Sequence, residues 1–380
     1  MIYPAVLAAA VVAGGLVYCV LTVIAARKYL AVRPGAPREL EPVSVLKPLH
    51  GADEGLEENL RSFFTQDYPA FEILFAVREA GDPAVAVVER LCAEYSRVPA
   101  RLIVTGEPPF PNAKVWSLAK MMAQARNDLL VMSDSDIRAA PSLLRTIAAE
   151  FEDPKLGVAT CPYRAVPGRS LWSTLEAIGM NTEFWGGVLV ARLVEGMRFA
   201  VGPTSAARKR VIEAIGGWER LERYLAEDFM LGKLAAGAGH GVALSSCVVE
   251  HRIGSESLRA NAAHRLRWCR STRRSRPAGY IGQVFTNPLP PALLMIALEP
   301  SWWPALVATA LLRALAAAAV AGWVLRDPLT RRRWWLVPVQ DLLSFAFWMA
   351  GFFGNTILWR GRRYRLLADG AFERCPARSG

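Results

Sequence analysis

Charge is missing from the start of this chain. From Ile2 to Ala26 no residue is charged, a run long enough for a helix to cross a hydrocarbon layer of about 30 Å. No basic residue precedes it, and it exceeds the roughly 7–15 residues of a signal-peptide core, so it reads as an uncleaved anchor. Two phosphate-binding fingerprints are also missing. There is neither a G-x-G-x-x-G nor a G-x-x-x-x-G-K-[ST] segment, which removes the dinucleotide motif and the P-loop. The six cysteines form no C-x-x-C pair, and their spacing suggests neither a zinc site nor a disulfide framework.

The chain of 380 residues, 53% hydrophobic, concentrates its apolar residues at both ends. Basic residues follow the first run at Arg27, Lys28, Arg33 and Arg38, so the positive-inside rule places the next domain in the cytoplasm. Near the other end, Trp302–Leu325 and Trp334–Trp359 are each long enough to span, interrupted by Arg313 and Asp341. Leu289–Leu298 is short. Two or three C-terminal segments are expected, and the arginines of "RDPLTRRRW" and "WRGRRYR" cannot both obey the charge rule. The net charge of +11 fits nucleic acid, an acidic lipid surface or a phosphorylated substrate. Beside apolar segments, the last two are favoured.

Between the ends, short apolar runs alternate with helical patterns. "VSVLKPL", "FEILFAV", "ARLIVT" and "DLLVMSD" read as strands, separated by "GLEENLRSFFTQ", "AVAVVERLCAEY" and "KVWSLAKMMAQA" as helices. This is the signature of βαβ units around a mostly parallel sheet, which binds ligands at the carboxyl ends of its strands. Asp134 and Asp136 of "VMSDSDIR" fall at such an end. They either cap a helix starting near "APSLLRTIAAEF" or hold a hard cation, since Mg²⁺ takes one or two carboxylates and substrate phosphates.

Other candidates surround them in sequence. Glu79 and Asp82 follow the second strand, and Lys114 of "NAKVW" opens a helix whose free amides would suit a phosphate. Glu227 and Asp228 of "YLAEDFMLG" interrupt an apolar helical pattern. They form either an exposed acidic turn or a carboxylate aimed into a cleft as a general base. "AHRLRWCRSTRRSRPAG" reads as an interfacial helix, with most of its arginines on lipid headgroups.

Taken in order, "SVLKPLHGADEGLEENL", "GDPA", "NAKV", "SDSDIR", "AEDFMLG", "RLRWCRSTR" and "GRRYRL" resemble the ceramide glucosyltransferase family and its bacterial relatives, notably the hopanoid biosynthesis-associated glycosyltransferases. The resemblance implies an α/β GT-A domain and inverting transfer from a UDP-sugar to a lipid hydroxyl at the cytoplasmic face of the inner (plasma) membrane. It implies that Asp82 binds the uridine, that Asp134 and Asp136 hold Mg²⁺ or Mn²⁺ on the diphosphate, that Lys114 lies near the donor and that Asp228 is the base. Arg267 and Trp268 match the end of a Q/R-x-x-R-W motif, whose first position is His264 here. The expected division is an anchor over 1–28, a catalytic domain over 40–280, a membrane region over 281–360 and a basic tail over 361–380. The partners expected are the donor, a membrane lipid and the membrane, without nucleic acid. A processive polysaccharide synthase and a non-catalytic membrane-anchored binding protein are the competing readings.

Overall fold

The computed structural model describes residues 2–33, 35, 37, 39–359 and 362–375. Arg38 and the two ends of the basic tail lie outside the described residues. The chain forms two compact units, one of Arg33–Tyr163 with Met197–Gly254, the other of Met1–Val32, Arg164–Gly196 and Ser255–Gly380. The segment 40–280, expected as one catalytic domain, is thus divided between them.

The first unit is built on a sheet of seven strands. In chain order they are β1 (Val43–Pro48), β2 (Phe71–Val77), β3 (Ala100–Val104), β4 (Leu129–Ser133), β6 (Leu156–Thr160), β8 (Thr204–Arg208) and β9 (Gly241–Leu244), arranged β3-β2-β1-β4-β8-β6-β9. The short strands β5 (Ile137–Arg138), β7 (Tyr163–Pro167) and β10 (Val249–Gly254) lie outside this sheet. β1 to β4 run parallel, as the alternating pattern predicts. β8 enters antiparallel to both β4 and β6, so the sheet is mixed.

The runs of β1, β2 and β4 are largely apolar because both of their faces are covered, while β3 is half-buried. On one face Leu46, Leu74, Ala76, Leu130 and Met132 pack with Val115, Leu118 and Met121 of the helix Ala113–Gln124. On the other, Phe75 stacks on Phe64 from the helix Leu56–Phe64. Ala207 of β8 joins the first cluster together with Trp218, Leu221 and Leu231, which ties the later part of the unit to the same core.

The second unit is helical. Val6–Tyr29 and Pro300–Val324, of 24 and 25 residues, are long and apolar enough to cross a membrane. Leu289–Leu298, short by itself, joins Pro277–Phe285 across a bend of 56° as a third candidate. The expected span Trp334–Trp359 is not one helix. Its helix covers Val337–Gly351, 15 residues, or about 22 Å at 1.5 Å per residue. Thr356–Trp359 instead forms strand β11, paired with β12 (Arg362–Leu366), which pairs with β13 (Phe372–Arg374). The helix ends where Arg270 and Arg273 donate to the carbonyls of Phe352, Phe353, Gly354 and Thr356.

Arg313 and Asp341, which looked like interruptions, form one buried pair with N–O distances of 2.7 and 2.8 Å. Each removes the cost of the other's charge. Trp302, Trp303, Trp334 and Trp335 are exposed, as amphipathic rings are at a membrane–water boundary.

Candidate active site

The register of β4 on β1 ends at Met132, opposite Leu46, and the strand itself ends at Ser133. Asp134 therefore leaves the sheet at the carboxyl edge of its parallel half. Its amide donates to the Pro203 carbonyl at 2.9 Å. The chain then turns so that β5 pairs antiparallel with β10. That pairing, with Arg252 N donating to Asp136 O at 2.8 Å, sets His251 Nε2 3.1 Å from Asp136 Oδ2. Asp136 Oδ1 is buried and has no hydrogen-bond partner among the described residues. The capping alternative does not hold, because the helix Leu143–Glu150 begins at Ser142.

Lys114 sits beside this loop, 2.7 Å from Asp134 Oδ1 and 2.8 Å from Glu227 Oε1. The amides expected to be free for a phosphate are occupied: those of Lys114 and Val115 donate to Asn112 Oδ1 at 3.1 and 3.2 Å. Asn112 Nδ2 in turn donates to the Tyr224 carbonyl at 2.7 Å, so one asparagine caps a helix and holds the approach to Glu227.

Glu227 and Asp228 do not interrupt a helix. They form the first turn of the helix Glu227–Gly237, where the amide dipoles favour carboxylates. Asp228 accepts from Phe229 N at 2.8 Å and from Gly202 N at 2.7 Å. Gly202 has φ +87°, and a Cβ there would lie 2.9 Å from the Tyr163 ring, so the amide that holds Asp228 depends on glycine.

Gly232, one turn further along, lies against backbone, with its Cβ position 2.1 Å from Ala200 N. Gly232→Ala is therefore expected to push this helix away from the 199–202 segment at a cost of about 1–3 kcal/mol. The check is the thermal midpoint of the purified protein, and an unchanged midpoint would refute the contact.

Burial raises the pKa of Asp134, with Lys114 opposing the shift. Burial acts against ionisation of Asp136 too, but His251, Lys47 and Lys114 outweigh it and the net shift is downward. Asp228 is pushed up to about 7 by burial and by the charge of Glu227. For Lys114 burial is overcome by Asp134, Glu227 and Asp228, and its pKa rises. The site thus contains a firmly ionised carboxylate at Asp136 and a carboxylate poised near neutrality at Asp228.

Two further residues escaped the sequence reading. Lys47, fully buried at the end of β1, donates to the Asp134 carbonyl and to Ser133 Oγ at 3.4 Å, with its Nζ 3.9 Å from the centre of the Phe63 ring. Burial lowers its pKa to about 7. Only the lysine's place in the apolar run "VSVLKPL" marks it. His251 lies 115 residues from Asp136, and no spacing rule connects them. The carboxylates suit a hard divalent cation: Asp136 Oδ1 is buried and unpartnered among the described residues, His251 holds the other Asp136 oxygen, and Asp134 is adjacent.

The remaining predicted residues make contacts within their own units. Asp82 is buried and accepts from Gly51 N at 3.0 and 3.1 Å and from Ala84 N at 2.9 Å, so its carboxylate organises the loop after β1. Glu79 is exposed. Arg267 and Trp268 belong to the helical unit, on the helix Leu258–Ser275. Trp268 packs on Phe184 and on His264, with ring centres 5.9 and 5.1 Å apart.

Four of the arginines expected on lipid headgroups, Arg265, Arg270, Arg273 and Arg276, have partners within the helical unit. Arg265 donates to Gln340 at 3.0 Å, and Arg276 pairs with Glu195 at 2.6 Å. Arg270 and Arg273 are engaged with the carbonyls described above.

The α/β unit has the GT-A fold. The fold likeness is to a solved mannosyltransferase, PcManGT from Pyrobaculum calidifontis, in complex with GDP-Man and Mn²⁺, at TM-score 0.54 and 19% identity over 92% of this chain and 97% of that one. The model of glycosyl transferase family 21 matches residues 6–372, and the chain belongs to that family. It is 31% identical to ceramide glucosyltransferase 1 of Caenorhabditis elegans over 54% of this chain and 44% of that protein. It is 22% identical to the probable glycosyltransferase YdaM of Bacillus subtilis over 61% and 56%. The chain spans about half the length of these curated relatives.

Proposed function

We propose that the protein is an inverting glycosyltransferase that moves a sugar from a UDP-sugar to the hydroxyl of a membrane lipid. The observation that carries this reading is the pairing of an unsatisfied, ionised Asp136 with His251, in the same unit as an Asp228 whose pKa lies close to neutrality. Family membership and the similarity to a ceramide glucosyltransferase support the substrate classes. The apolar helices support a lipid acceptor and a membrane location. The basic residues after the first helix support a cytoplasmic catalytic unit in the inner membrane.

In this reading the carboxylates of Asp136 and Asp134 would hold Mg²⁺ or Mn²⁺, with His251 fixing the Asp136 carboxylate. The cation would supply positive charge to the donor diphosphate as UDP leaves. Lys114 adds a second positive charge beside Asp134, and Lys47 fixes the Asp134 backbone from below. Asp228, held by the Gly202 amide, takes the proton from the acceptor hydroxyl as its oxygen attacks the anomeric carbon. A single displacement of this kind inverts the centre. Asp82 keeps the loop after β1 in shape to receive the uridine.

Among acceptors, a hopanoid polyol with UDP-N-acetylglucosamine as donor is favoured by the likeness of "LKPLHGAD" to the hopanoid-associated branch. The test is incubation of the purified protein with UDP-glucose, UDP-galactose or UDP-N-acetylglucosamine against hopanoid, ceramide and diacylglycerol, followed by mass spectrometry of the lipid extract. A lipid carrying one added sugar is the expected product. A polymer would favour a processive synthase, and no product from any pair would overturn the reading.

A further inference from the structure

The helical unit gathers a second group of ligand-type side chains. Glu176 lies on the helix Leu171–Gly179, Glu256 on the loop that leads into the helix Leu258–Ser275, and His264 two turns along that helix. One ligand atom from each lies within 4.8 Å of the other two. Glu176 is 5% exposed and accepts from Asn261, while His264 Nδ1 is 2.9 Å from Glu176 Oε1.

One feature of this group calls for a ligand. Glu256 Oε2 is buried and makes no hydrogen bond among the described residues, which is costly for a carboxylate oxygen.

We propose that Glu176, Glu256 and His264 form a second cation site, taking Zn²⁺ or a similar borderline transition ion. An imidazole nitrogen with two carboxylate oxygens suits such an ion better than Mg²⁺, which favours oxygen ligands alone. Ligand bonds of about 2.0–2.2 Å require the three donors to shift from their present spacing, with His264 Nδ1 and Glu176 Oε1 parting from 2.9 Å. The ion would tie the helix Leu171–Gly179 to the start of the helix that carries Arg267 and Trp268. His264 packs edge-on against Trp268, so the same clip would fix that ring. Histidine in place of the family's Gln or Arg at this position supplies the nitrogen ligand.

The test titrates ZnCl₂ into the full-length protein in detergent, in an Asp134→Asn, Asp136→Asn background that removes the donor-site carboxylates. Calorimetry is expected to show one Zn²⁺ site, and Zn²⁺ is expected to raise the thermal midpoint. His264→Gln, and independently Glu256→Gln, should each weaken that binding by roughly tenfold or more and abolish the thermal shift. Glu256→Gln lies outside the helix and decides the matter if His264→Gln fails to fold. No Zn²⁺ binding in the background protein, or binding unchanged by both substitutions, would overturn the proposal and leave the cluster as an ion pair only. Neither result depends on sugar transfer.

Discussion

Asp228→Asn is expected to slow sugar transfer by about 10²–10⁴-fold, the usual contribution of a general base, while UDP binding stays near that of the parent. Asparagine keeps the shape but has a single acceptor oxygen, so it can accept from one of the Gly202 and Phe229 amides and not from both. What disappears is a group able to take a proton.

The pH profile makes the assignment sharper. An ordinary aspartate, with a pKa of about 3.9, would be ionised throughout the neutral range. Asp228 is pushed up to about 7 by burial and by Glu227. The active form is the carboxylate, so turnover should fall as pH drops through that value, approaching tenfold per unit below it. The Asn variant should lack this limb. Full turnover in Asp228→Asn, measured by product formation under saturating donor, would remove Asp228 as the base.

Asp136→Asn is expected to lower turnover by about 10²–10³-fold, the scale on which one electrostatic contact to developing charge counts. It should also remove the effect of MnCl₂ on UDP binding measured by calorimetry. The substitution exchanges the ionised partner of His251 for a neutral amide that cannot balance a divalent charge. His251→Ala should weaken the cation dependence in the same direction while leaving the carboxylates in place. UDP binding that responds equally to Mn²⁺ in all three proteins would show that the cation is held elsewhere.

These two predictions rest on different kinds of legibility. Asp134 and Asp136 could be picked out because they follow an apolar run directly, and the end of a parallel strand is where ligands bind. β1 to β4 were equally plain, since short runs dominated by apolar residues alternate with helical patterns. Local chemistry was enough in both cases. The reversal of β8 was not visible, because "TSAAR" holds no apolar run and the composition of a strand does not tell its direction. Nor was the early end of the helix Val337–Gly351, which Arg270 and Arg273 set from a distant part of the chain.

The membrane-crossing length of the first helix, the alternation of strands and helices and the candidate acids follow from patterns within a few residues, where period, charge and chain stiffness decide the outcome. The placing of His251 against Asp136, of Lys114 between Asp134 and Glu227 and of Lys47 beneath the loop required the folded sheet. So did the pKa values, because burial and neighbouring charge exist only once the chain has packed. Asp228 looks the same as any other aspartate in the sequence; the enclosure of its carboxyl beside Glu227, under the amide of Gly202, is what brings its proton affinity close to neutral.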